Sequence, residues 1–342
     1  MAIIHFLNVL EGDCNIIQHD NSHTTIIDVS NAYDQEDTKA ELAVKSSLTR
    51  ALMKSNTGVP KDKKDYGEKK TPDNPIDYLN KLKIETIFRF IITHPDMDHL
   101  DGIKDLFSSF SVINIWDTDN KKEILDFQSG GYNKEDWEFY EKIRSGDTDG
   151  KTRLTNFAGE LRDFWKDDHI HILAPTKELL KDANECGDYN DSSYVLLFTP
   201  PKKGGGVWKL LFAGDSHDKT WEYILGDDTL SALVSNVDVL FAPHHGRDSD
   251  RSFKFLDTVK PKLTLFGNAS SKHLAYNKYP KVRITNNQAG YVVLNVQLDR
   301  IDILVKNQKF AQDFRNNHGR NWGDTNYDPA LDAYYLGALV AK

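Results

Sequence analysis

Short apolar runs rich in β-branched residues dominate the hydrophobic pattern of the chain and predict strands more than long helices. Residues 3–10 and 14–18 flank the turn Glu11-Gly12-Asp13, and 24–29 follows as a third run that carries Asp28 at its end. The strongly apolar stretch 84–92 stops abruptly at Thr93-His94-Pro95. Further strands are predicted at 112–116, 169–173, 237–241 and 262–266. Segments 194–198 and 207–212 read as a hairpin across a Pro- and Gly-rich connection, and 291–296 with 301–305 reads as a second. Helical spacing is found at 38–54, 75–82, 100–110, around 137–143 and 157–165, and at 252–259.

The strands come in two sets, each followed by helices. That order predicts an α+β chain built as a four-layer αββα sandwich, two sheets covered outside by helices. No repeat of 20–50 residues is visible. One folded unit over residues 1–307 is expected, with polar insertions at about 34–75 and 117–168, and with 308–342 as a tail packed on it. Within the first insertion, 61–70 (KDKKDYGEKK) reads as a solvated loop, because Asp62, Asp65 and Glu68 dilute its lysines.

Composition narrows the class. Of 342 residues, 39% are hydrophobic, and the 6 Trp, 14 Tyr and 17 Phe exclude a wholly disordered chain. No apolar run approaches the roughly 20 residues of a membrane span, and MAIIHFLNVLEGD lacks the basic start of a signal peptide. Cys14 and Cys186 are the only cysteines. Both read as small buried apolar residues, so a reducing, cytoplasmic compartment is expected. The formal net charge of −9 argues against a protein that coats nucleic acid. It leaves room for an enzyme that handles a polyanion through bound cations.

The strongest chemical signal is His94-Pro95-Asp96-Met97-Asp98-His99, directly after an apolar strand. In a partly extended turn His94, Asp96 and Asp98 can face one side, with His99 turning in beside them. Imidazoles and carboxylates packed this tightly repel, and are costly to desolvate, unless a cation holds them. Phe212-Ala213-Gly214-Asp215 places a second carboxylate at a strand end, where it could bridge two cations. In Pro243-His244-His245-Gly246-Arg247 the adjacent histidines point apart, so one can be a ligand while the other faces substrate or solvent.

The order and context of these motifs resemble the metallo-β-lactamase superfamily of metal-dependent hydrolases. More narrowly, they resemble the hydrolase domain of ComEC-type competence proteins and its stand-alone relatives. The matching pieces are 6–13 (FLNVLEGD), 25–28 (TIID), 93–102 (THPDMDHLDG), 190–193 (NDSS), 212–215 (FAGD) and 243–246 (PHHG). The superfamily pattern is His-x-His-x-Asp-His, and this chain carries Asp96 in place of the second His, as in the ComEC-like branch. A carboxylate there hardens the ligand field, so manganese becomes as suitable as zinc.

The resemblance implies two divalent cations, zinc or manganese. His94 and Asp96 would hold the first, Asp98 and His99 the second, and Asp215 would bridge, with His245 or alternatively His244 completing the second position. Asp98 and His244 are the implied catalytic residues, His244 contacting a substrate oxygen or donating a proton to the leaving group. Asp13 and Asp28 would orient ligands through hydrogen bonds or simply cap strand ends. The stretch 190–193 offers no histidine; His171 and His217 are weak alternatives. Arg247 and Arg251, with Lys272 and His273, follow strand ends on the same side and suit phosphate. The implied activity is hydrolysis of a phosphodiester, in DNA or a nucleotide-containing molecule. Hydrolysis of a small ester, lactone or thioester and a non-catalytic metal-binding module are the alternatives. No membrane association is expected, and no obligate protein partner is legible.

Overall fold

The computed structural model describes residues 1–9, 11–33, 64–127, 132–160, 163–249, 251–268, 273–319 and 326–341. In chain order the strands are β1 (Ala2–Phe6), β2 (Asn15–Gln18), β3 (Thr24–Ile27), β4 (Thr86–Ile91), β5 (Ser111–Trp116), β6 (Thr152–Leu154), β7 (Ile170–Ala174) and β8 (Val195–Phe198). They continue with β9 (Pro201–Lys202), β10 (Gly206–Val207), β11 (Leu210–Phe212), β12 (Val239–Phe241), β13 (Leu263–Phe266) and β14 (Arg283–Thr285). The last are β15 (Val292–Val296), β16 (Arg300–Val305), β17 (Tyr327–Asp328) and β18 (Ala333–Val340). One sheet runs β17-β18-β16-β15-β1-β2-β3-β4-β5-β6 and the other β14-β13-β12-β11-β8-β7.

The expected αββα layering is what the side chains build. Alternation along each strand sends Ile4, Phe6, Ile91 and Leu294 of the first sheet against Leu196, Phe212, Phe241 and Leu265 of the second, forming the central core. The other face of the first sheet, including Ile26, Phe90 and Ile115, is covered by α1 (Pro75–Lys81), α2 (Ile103–Ser109) and α3 (Lys134–Ser145), through Leu79, Leu106, Trp137 and Tyr140. The outer face of the second sheet, with Leu197, Leu211 and Leu240, receives Trp221 and Ile224 from α5 (Asp218–Gly226) and Val259 from a short helical turn. Preceding these, α4 (Lys177–Cys186) is capped by the Thr176 side chain and stopped by Gly187, and buries Leu179, Leu180 and Ala183. Strands buried on both faces read as unbroken apolar runs, which is why 195–198 and 239–241 carry no polar position.

Three details depart from the sequence expectation. The 117–168 stretch is not wholly outside the sheet, because β6 pairs in parallel with β5. The 194–212 hairpin is interrupted: β8 pairs with β11, while 201–207 forms its own small β9–β10 ribbon above the buried Trp208. The C-terminal stretch adds more than a packed tail, since β18 pairs with β16 and extends the first sheet. The predicted helix at 38–54 lies outside the described residues. Of the charged loop, Lys64 pairs with Asp313 at 2.9 Å. Cys14 is buried as expected, but Cys186 is exposed, because it falls on the outer side of the last turn of α4. Among the described residues no helix is long and apolar enough to cross a membrane.

Parallel pairing matters most for the site. β3, β4 and β5 run parallel, as do β11, β12 and β13, so two sets of strand C-termini open on one edge of the sandwich. Midway along β4 the fully buried Arg89 binds Asp168 at 2.7 Å and the Thr25 hydroxyl at 2.9 Å, with its guanidinium over Trp116. Asp168→Ala strands that cation in the core. It should cost about 3–5 kcal/mol in urea unfolding, and a loss under about 1 kcal/mol would mean that the pair is solvated.

Candidate metal centre

The site begins with Asp28, buried at the end of β3 in a left-handed conformation (φ 59°). Its carboxylate accepts from the Thr93 amide at 2.7 Å and the Thr93 hydroxyl at 2.7 Å, which fixes the chain where it leaves β4. It also accepts from His99 Nδ1 at 2.8 Å. The Thr93 hydroxyl, having given its proton to Asp28, can only accept from His94 Nδ1, 3.1 Å away. Both imidazoles are thereby held with a proton on Nδ1 and with Nε2 turned inward.

Those inward atoms meet the ends of the second sheet. Asp215, after β11, lies 3.4 Å from His99 Nε2 through one oxygen. Its other oxygen lies 3.8 Å from His94 Nε2, 3.7 Å from His244 Nε2 and 3.6 Å from His245 Nε2. His245 Nε2 is also 3.4 Å from Asp98, and its Nδ1 is 3.2 Å from Asp13. Three donor groups result: His94, His99 and Asp215; Asp98, His99 and His245; and Asp13, Asp215 and His245. Asp215 and the imidazoles of His99 and His245 are each shared between two of them.

These side chains fit divalent cations. The Nε2 atoms of His94, His99 and His245, and one oxygen each of Asp13 and Asp215, are buried with no hydrogen-bond partner among the described residues. Orphaned donors of this kind are costly unless a cation satisfies them. The protonation pattern says the same. Burial would lower the His99 pKa, yet Asp215, Asp28 and Asp98 together hold it well above the imidazole range. Burial likewise opposes His245, but Asp215 and Asp13 push it up to about 10. Burial would raise Asp215, and His245 and His99 instead hold it well below the carboxylate range. Protons on imidazole balance the carboxylates here until a cation displaces them.

The backbone is specialised to bring the parts together. His244 (φ 51°), His245 (φ 56°) and Gly246 (φ 79°) follow one another in left-handed geometry. A Cβ on Gly246 would sit 2.0 Å from the Phe266 ring, and one on Gly12 would sit 1.6 Å from the Asp98 carbonyl oxygen. Glycine is thus required where the turn at 11–13 touches the 94–99 loop.

Other residues singled out in the sequence fall into place differently. Asp96 belongs to none of the donor groups. One oxygen pairs with Lys122, and the other is 3.8 Å from His94 Nε2. His244 is tied at Nδ1 to His217 Nε2 (2.7 Å) and Ser249 (3.0 Å), and burial lowers its pKa to about 4. Arg247 and His273 share one rim, because the 246–248 backbone pairs with 273–275. Lys272 lies outside the described residues. Arg251 is not a phosphate ligand: it is buried, and its guanidinium donates to the carbonyls of Ser216, Pro243 and Arg247. His171 pairs with Thr199 within the second sheet, and Asp191 accepts from the His217 and Thr220 amides at the start of α5. The sequence pattern did not disclose Lys122 or the structural use of Thr93; the threonine was legible only as a hydroxyl between a strand and His94.

No family model matches the chain, and no curated protein does. Solved structures do. A diphosphatase described as from the PhnP family is 10% identical, covers 86% of this chain and 97% of its own, and has a TM-score of 0.36. Zn(2+)-bound PqqB from Methylobacterium extorquens is 10% identical over 86% of this chain and 100% of its own, with a TM-score of 0.41. An E377D mutant of the CmlA β-hydroxylase is 11% identical over 77% of this chain, with a TM-score of 0.40; the chain spans 45% of its length. The chemistry of the centre rests on its own side chains.

Stability should report the charge balance. His99 and His245 carry raised folded pKa values, so their contribution is complete below an unfolded pKa near 6.5 and is lost as pH rises, that of His245 through about 10. With cations chelated, the melting temperature should therefore fall across that window, and adding Mn²⁺ or Zn²⁺ should raise it and flatten the pH dependence. A chelated protein that melts at the same temperature across the window would contradict the charge balance.

Proposed function

We propose that the chain is a metal-dependent hydrolase of phosphodiesters. The observation that carries this reading is Asp215, one of whose carboxylate oxygens faces His99 while the other faces His94 and His245, so that both oxygens would be available to cations held by those imidazoles. Zinc or manganese ions bound there would supply the Lewis acidity that activates water and neutralises charge on the phosphoryl group. His94, His99, Asp98, His245, Asp13 and Asp215 are the residues that would hold them.

The remaining roles belong to the chain. Asp28 and Thr93 fix the tautomers of the inward-facing imidazoles. His244 is held at Nδ1 by His217 and Ser249 and faces Asp215 through Nε2. Its lowered pKa keeps it neutral near pH 7 and suits donation of a hydrogen bond to a substrate oxygen. Arg247 follows the histidine pair and its segment pairs with the backbone at His273, so both are proposed to meet the groups that neighbour a phosphodiester, and the order of motifs along the chain supports the same substrate class. DNA and nucleotide-containing molecules are the proposed partners, in a cytoplasmic setting.

An activity screen over bis-p-nitrophenyl phosphate, single- and double-stranded DNA and lactones tests the reading. Cation-dependent turnover of a phosphodiester is expected, and Asp215→Ala should lower kcat/KM by at least about 100-fold with either metal. Turnover confined to lactones would replace the proposed substrate class.

A further inference from the structure

Asp96 is the motif residue that the three donor groups leave out, and the reason lies in the 117–168 stretch. There Asp117 is buried and takes two bonds from Arg153 (3.1 and 2.8 Å) and one from the Tyr140 hydroxyl (2.8 Å). The buried Asn120 donates to that same hydroxyl, and Arg144 donates to the Asn120 side chain at 2.9 Å and to the Lys122 carbonyl at 2.7 Å. The Lys121 amide donates to Asn184 of α4 at 2.7 Å. The loop is therefore anchored up to the point where Lys122 projects, and its ammonium meets Asp96 above Tyr189.

The pair has an electrostatic consequence. A cation beside His94 would draw on Asp96, whose free oxygen is 3.8 Å from His94 Nε2. The ammonium of Lys122 occupies the other oxygen and adds a positive charge next to that position. The group of Asp98, His99 and His245 has a different setting, since its charged neighbours are Asp13, Asp28 and Asp215.

We propose that Lys122 is a positioning residue that withholds Asp96 from a cation at His94. The centre then has two unequal positions, a tight one at Asp98, His99 and His245 and a weak one at His94. The inference rests on the cation reading of the centre and requires no particular substrate. Through Lys122 the second insertion sets how readily the second cation enters.

The test is binding of Mn²⁺ alone to the purified full chain, by calorimetric titration with elemental analysis of stoichiometry and no substrate present. Wild type should show a tight and a weak class. Lys122→Met and Lys122→Gln should each tighten the weak class by about fivefold or more while the tight class stays within about twofold. The unchanged tight class also reports that each variant is folded. Lys122→Arg, which keeps the charge, should bind as wild type does. Asp96→Asn should loosen the weak class, and adding Lys122→Met to it should bring clearly less tightening than Lys122→Met brings to wild type. The proposal is overturned if the neutral variants leave the weak class unchanged, if they tighten both classes equally, or if the tightening is as large in Asp96→Asn as in wild type. Absence of phosphodiester turnover with this binding pattern intact would remove the proposed activity and leave the role of Lys122 standing. Absence of any Mn²⁺ binding would remove both.

Discussion

The contact on which the centre depends is the one Asp28 makes with Thr93 and His99. β3 and β4 lie side by side in parallel, and Asp28 reaches from the end of one to the first residues beyond the other. A single buried carboxylate therefore sets where the chain turns after β4 and how His94 and His99 present their rings. Its left-handed backbone is a local cost that the surrounding sheet supports. With Asp28 in place, the loop brings Asp98 against the Gly12 turn and toward His245, so the contributions of the two sheets meet across the sandwich. The stability of the core and the geometry of the centre are linked at this residue.

The strand ends were legible in the sequence because apolar runs stop there at residues that have no place in an apolar core. His94 to His99, Asp215 and His244 to His245 each follow such a run, and the structure brings His94, Asp98, His99, Asp215 and His245 together. The layering was legible for the same reason, since two sets of strands each precede helices. What escaped depends on partners distant in sequence. β18 pairs with β16, and its aromatic-rich sequence carries no clear alternation to announce a strand. Arg251 follows the histidine pair and reads as a phosphate ligand by position alone, but the carbonyls of Ser216 and Pro243 turn it inward. Asp96 sits 26 residues from Lys122, and no local pattern links them. The helix at 177–186 did carry its signals, Thr176 before it and Gly187 after it, in a stretch that offered little else.

The donor set has a chemical bias. Each imidazole in the centre faces at least one carboxylate, and three of them share one oxygen of Asp215. The carboxylates hold protons on His99 and His245, so a cation must displace those protons as it enters, and affinity will rise with pH.

His244 shows how the same loop separates binding from chemistry. It and His245 are neighbours with similar left-handed backbones, yet their rings face different surroundings. His245 is pressed among Asp13, Asp98 and Asp215, and its pKa rises to about 10; His244 meets His217 and Ser249, and burial takes its pKa down to about 4. One ring is charge-compensated by carboxylates and suited to exchange its proton for a cation. The other stays neutral, held at Nδ1, with Nε2 3.7 Å from the Asp215 carboxylate. Adjacent residues of one type thus acquire opposite protonation behaviour through the groups that the surrounding loops place against them.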